Sequence, residues 1–253
     1  MLYTILGKDG VGKTVFADVF AKHLIRENET VLIIDSDLCQ PTVPVMTNGK
    51  FSQDNSLGEF ISMTGKMDIQ RFCKHPNADA PGVYYAGCLP GDTITQYTGW
   101  ETPSLKVAQA NTFLKMAAET FDHTVLMVKP SHEGIFFEPG LLLCDHLIVL
   151  SVPDIDGYFT LDAMRPLLKR PKEIGIKAKI HYVGSKCCEY HDLKQFETLA
   201  KCELECVLPF CDEVNFKFVS RNLHSPYKTA SGKKYLSLVK GLAKALGNDS
   251  GKE

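Results

Sequence analysis

An α/β fold with a mostly parallel central sheet and helices on both faces is predicted by three observations. Apolar runs of strand length alternate along the chain with amphipathic stretches of helical spacing. The 253 residues, 44% of them hydrophobic, suffice to bury such a core in one domain. Residues 7–14 read Gly7-Lys8-Asp9-Gly10-Val11-Gly12-Lys13-Thr14, a G-x-x-x-x-G-K-[ST] turn that stands between the first apolar run and the first amphipathic stretch. On this reading residues 1–247 form a single domain and 248–253 a disordered tail.

The elements follow in order. Leu2 to Leu6 is the first strand, and Val15, Val19, Phe20 and Leu24 recur at helical spacing after the glycine-rich turn. Such a turn cradles phosphate. Gly10 and Gly12 allow dihedrals closed to other residues, so that successive N–H groups of residues 7–15 point inward, and the helix start adds its positive dipole end. Lys13 is expected to neutralise the β- and γ-phosphates, while the Thr14 hydroxyl is the expected Mg²⁺ ligand. The plainer alternative is a turn that only joins strand to helix. Next, Thr30 to Ile34 is a buried-type strand followed by Asp35 and Asp37, two acids at its carboxyl end, where open α/β sheets bind ligands. Either acid could instead cap the turn that follows.

The run Lys8-Asp9-Gly10-Val11-Gly12-Lys13-Thr14 resembles the deviant phosphate loop of the MinD/ParA family of P-loop ATPases, K-G-G-x-G-K-[ST]. The resemblance implies that Lys8 crosses a dimer interface to the partner's nucleotide. Ile34-Asp35-Ser36-Asp37 is similar to the family's "IDxD" run, which implies that Asp37 orders Mg²⁺ and the attacking water. Likeness continues in the helix at Ser56 to Phe60, the strand at Gly82 to Pro90, the strand at Cys144 to Asp154 with the helix of Leu161, Met164, Leu167 and Leu168, and the closing helix Lys234 to Leu246. Cys206 to Asp212 resembles the segment that runs past the nucleotide base, implying base contacts from Pro209 and Phe210.

Three positions depart from the pattern. Asp9 replaces a glycine, and a carboxylate about 6 Å from a phosphate costs about 2–3 kcal/mol at an effective dielectric near 20. Pointing outward, or pairing with Lys8, would reduce that cost. The strand Phe121 to Pro130 carries Lys129 at or beside the place of the family's second magnesium acid; an ammonium cannot ligate metal but can contact phosphate. A strand that usually ends in a base-reading Asn ends in Tyr182-Val183-Gly184-Ser185. These departures, similar in kind to the degenerate sites of TadZ-like pilus-localisation proteins, imply strong nucleotide binding with weak or absent hydrolysis.

The resemblance implies an ATP/ADP and Mg²⁺ switch that dimerises with ATP and positions or partitions a cargo, whether pilus or secretion machinery or a plasmid or chromosome. An ATP-dependent enzyme or metal-insertion ATPase on the same fold is the rival, and a scaffold with a vestigial site is the third reading. A net charge of −2 disfavours nonspecific DNA binding, for which Lys169, Arg170, Lys172, Lys177 and Lys179 are the candidate patch. No apolar run spans a membrane and the first strand starts at once, so a cytoplasmic location is expected. The basic amphipathic stretch Lys233 to Leu246 fits a helix packed on the sheet better than one touching membrane. Gly91 to Pro103, with Tyr97 and Trp100, reads as a docking loop or a hydrophobic plug. Of nine cysteines, Cys39, Cys88, Cys144 and Cys206 read as small buried hydrophobes; Cys187, Cys188, His191, Cys202 and Cys211 cluster loosely without metal-site spacing.

Overall fold

In a computed structural model, which describes residues 1–37, 40–47, 51–63, 68–75, 81–90, 92, 103–131 and 134–248, seven strands pair into one parallel sheet. They are β1 (Leu2–Leu6), β2 (Val31–Asp35), β3 (Val83–Gly87), β4 (His123–Val128), β5 (His146–Ser151), β6 (Lys179–Cys187) and β7 (Leu204–Pro209), in the order β3-β2-β4-β1-β5-β6-β7. Among the described residues, Lys74 also forms an isolated antiparallel bridge to Tyr85 of β3. The central strands are apolar on both faces because helices cover both, as the near-continuous Val, Ile and Leu runs require.

Alternation along the strands sorts the side chains into two cores. Leu2, Leu6, Leu32, Ile34, Leu126 and Leu147 face one layer, made by α3 (Leu57–Ser62), α4 (Ile69–Phe72), α5 (Pro103–Thr120), α6 (Phe137–Leu143), α7 (Ile155–Lys169) and α8 (Leu193–Ala200). Tyr3, Ile5, Ile33, Val125, Met127 and Ile148 face the other, made by α1 (Lys13–Leu24), α2 (Val43–Met46), α9 (Asp212–Val219) and α10 (Ala230–Gly247). Side chains cap several helix starts in the expected way: Ser56 accepts from Glu59 N, Asp154 from Gly157 N, Asp192 from Gln195 N and Thr229 from Gly232 N. No side chain caps α1.

The closing amphipathic helix is used within the fold. Tyr235, Val239, Leu242, Ala243 and Leu246 of α10 are buried in the core beside α1 and β7. The face that sequence periodicity marks as apolar is therefore turned toward the sheet layer. A buried polar link ties α1 to β3: Asp18 accepts from the Tyr85 hydroxyl at 2.8 Å and from Lys22 Nζ at 2.6 Å. No helix among the described residues is long and apolar enough to cross a membrane. Cys39, Tyr97, Trp100 and residues 249–253 lie outside the described residues.

Candidate functional site

The loop after β1 opens at the carboxyl edge of the sheet, where β1 lies between β4 and β5 and the chain's winding reverses, the usual ligand position in such sheets. Gly10 and Gly12 take left-handed φ of +78° and +93°, conformations that a side chain would strain. Gly7 N donates to Val128 O at 3.3 Å, and Ser185 Oγ donates to Val11 O at 2.7 Å, so the loop is tied to β4 on one side and β6 on the other. Lys13 folds back over it, its Nζ donating to Gly7 O at 2.6 Å and Lys8 O at 2.8 Å. Burial lowers the Lys13 pKa, against the opposing pull of Asp9 and Asp37. With no side chain capping α1, the amides of its first turn are left to an anionic ligand.

Beside the loop is a cavity of about 610 Å³, ample for a nucleotide. Asp9, Gly10, Gly12, Lys13, Thr14 and Val15 line one part, and Pro209, Phe210, Val214 and Phe218 form an apolar strip at another that suits a base. Phe210 is held by its amide, which donates to Cys187 O at 2.7 Å. Gly7, Lys8 and Val11 do not line the cavity; their carbonyls instead hold Lys13 and Ser185.

The acids after β2 divide their work. Asp35 is fully buried and holds the following turn, its Oδ2 accepting from Thr42 N at 2.6 Å and Thr42 Oγ1 at 2.7 Å. Burial raises its pKa, and the Thr42 hydrogen bonds oppose the rise. Thr14 joins this chain, its hydroxyl donating to Thr42 Oγ1 at 3.2 Å. Asp37 accepts from Gln40 N at 2.9 Å and pairs with Lys129 at 2.7 Å, so it both shapes a turn and faces the cavity. Lys129 also pairs with Asp9 at 3.0 Å. Burial disfavours its charge, but hydrogen bonds to Asp37 and Asp9 outweigh this and raise its pKa.

Pairing between Asp9 and Lys8 is not what the structure shows. Lys8 Nζ reaches Asp156 Oδ2 on α7 at 3.1 Å, while the Asp9 carboxylate lies between Lys129 and Lys13, 3.9 Å from the latter. Cys188 Sγ lies 3.8 Å from His191 Nδ1, and burial pushes the Cys187 thiol up to about 12 and the Cys202 thiol to about 11. No group of three His, Cys, Asp or Glu gathers for a metal ion among the described residues.

Solved structures share this architecture over nearly the whole chain. A ParA family ATPase from Chlorobium tepidum TLS superposes with a TM-score of 0.74 at 16% identity, covering 96% of this chain and 98% of that one. The Pyrococcus furiosus cell division ATPase MinD gives 0.73 at 17% identity, over 96% and 98%. The septum site-determining protein MinD of Pyrococcus horikoshii OT3, complexed with Mg-ADP, gives 0.71 at 16% identity, over 99% and 97%. The fold is that of the ParA and MinD ATPases. No family model matches the sequence, and no curated protein matches it.

The residues expected to hold Mg²⁺ have protein partners. The Asp37 carboxylate is taken by an ammonium, Thr14 is engaged with Thr42, and Lys129 stands where a third oxygen donor is expected. Among the described residues, a hard cation that takes mainly waters and phosphate oxygens would find its expected hydroxyl and carboxylate already engaged. Sequence reading missed three residues that build the site. Ser185 registered only as a missing Asn, though a hydroxyl at a strand end can tether a loop; Thr42 precedes α2 and Asp156 lies in the first turn of α7, and both reach the loop only through tertiary contact.

Proposed function

We propose that the chain is a nucleotide-binding switch of the ParA and MinD kind, which binds ATP or ADP at the loop of residues 7–15 and closes on a second copy when ATP is present. The observation that carries this reading is the Gly10–Thr14 turn: two left-handed glycines, an uncapped α1 and a half-buried lysine folded over the loop open onto one 610 Å³ cavity. Pro209 and Phe210 supply the apolar surface for the base. Lys8 provides the contact to the second copy. Its tie to Asp156 is exposed, and exposed pairs are worth about 0–1 kcal/mol, so it yields readily to a phosphate. Ile155 and Phe159, exposed on the same end of α7, are suited to the closing face.

The cargo belongs to the positioning and partition tasks of such switches, at a pilus, a secretion machine, a plasmid or a chromosome. Hydrolysis is slow or absent, because Lys129 replaces an acid and Asp37 is held by it. Calorimetric titration with ADP and ATP tests binding, and sedimentation tests dimerisation: ATP-driven dimers that vanish in Lys8→Ala are expected. Dimers indifferent to ATP and to that substitution refute the role of Lys8. Turnover typical of active ATPases, abolished by Lys13→Ala, refutes slow hydrolysis.

A further inference from the structure

Strand register places Lys129 beside the glycine-rich loop. Leu6 pairs with Val128 and Asp35 with Met127, so the residue after β4 stands level both with Gly7, where the loop begins, and with Asp37. Its ammonium bridges Asp37 at 2.7 Å and Asp9 at 3.0 Å. The other oxygen of Asp9 faces Lys13 Nζ at 3.9 Å. One carboxylate thus sits between two lysines, one from the loop and one from β4, in the arrangement a terminal phosphate requires. A triphosphate needs positive charge spread over its terminal oxygens, and a divalent metal ordinarily supplies part of it. Here Lys129, paired with Asp37, is a cation that the chain carries itself.

We propose that Lys129 is the built-in counter-cation of the bound triphosphate, so that this chain takes a nucleoside triphosphate without a divalent metal. The inference rests on the nucleotide-binding reading above. Asp9 is the placeholder: it pairs with Lys129 and lies 3.9 Å from Lys13, whose Nζ bonds the carbonyls of Gly7 and Lys8, and it gives way to the entering phosphate. Asp9 and Lys129 then form a matched pair. Alone, the acid would repel phosphate; alone, the lysine would leave Asp37 as its sole partner in a site otherwise rich in positive charge. Together they keep the empty site near neutral. Asp37 retains its turn through Gln40 N when Lys129 moves.

The test is a titration of the whole chain with a fluorescent ATP analogue, in millimolar Mg²⁺ and in excess EDTA. The expected wild-type affinities agree within about threefold, since the charge that pairs the phosphates is covalently attached. Lys129→Met loses about tenfold or more in EDTA, and Lys129→Arg stays within about threefold of wild type, because it keeps the cation. Asp9→Asn binds about threefold or more tighter in EDTA, its placeholder removed. Thermal melts of each variant show that it is folded. Wild-type binding that is lost in EDTA overturns this proposal while leaving the nucleotide-binding reading intact; no binding in either buffer overturns both. A Lys129→Met variant that binds as wild type in EDTA, or an Asp9→Asn variant that binds no tighter, also overturns it.

Discussion

Ser185→Ala separates what the loop owes to the fold from what it owes to its ligand. The Ser185 hydroxyl donates to Val11 O at 2.7 Å between residues that are 4% and 1% exposed, so water does not readily replace it. A buried hydrogen bond contributes about 0.5–1.5 kcal/mol net, but a carbonyl left buried without its donor costs about 1–3 kcal/mol, and it is this larger range of folding stability that the substitution loses. The bond exists before any ligand enters, so the loss falls on stability, and affinity for ADP drops by only about threefold or less. Urea unfolding followed by circular dichroism, with the slope unchanged, measures the first quantity, and calorimetry the second. A variant as stable as wild type within about 0.5 kcal/mol, yet with affinity reduced about tenfold, would refute the reasoning, since the loop would then be ordered by its ligand and not by β6.

Two further outcomes follow from other contacts. Asp18→Ala strips the buried Tyr85 hydroxyl of its acceptor and leaves Lys22 without its carboxylate, and should cost about 2–4 kcal/mol in the same urea assay, with Asp18→Asn costing less. Glu213 has a pKa pushed down to about 2 by the Thr229 hydroxyl and the amides of Lys228 and Thr229. A folded pKa below the unfolded value, ordinarily about 4.3, means that its stabilisation is complete above that value and is lost as pH falls toward 2. Glu213→Gln should flatten that part of the acid limb in a stability-against-pH series; an unaltered limb would show that the hydrogen bonds do not depend on the charge.

Much of the architecture was legible because local rules and tertiary demands agreed. A loop with glycines at positions 10 and 12 works only with left-handed dihedrals, and both glycines take them. The strand Val31–Asp35 read as fully buried because nothing along it is polar before its acid, and it lies between two other strands. The pairing of charges was not legible in the same way. Asp9, Asp37 and Lys129 come from three separate loops, and only the register of β1, β2 and β4 brings them into contact. Asp35 could have faced a metal or its own turn by sequence alone; seven residues on, Thr42 decides for the turn. Lys8 could have turned to its neighbour, but α7 offered Asp156.

The place of α10 bears on how the molecule is made. Residues 7–15 are synthesised long before the helix that buries its apolar side against α1, which starts only at Ala230. Until that stretch is synthesised, Phe20 and Leu24 lack part of their cover, and the nascent chain shows an oily ridge just behind the loop. Completion of the apolar core behind the loop is thereby deferred until the Ala230–Gly247 helix has been made.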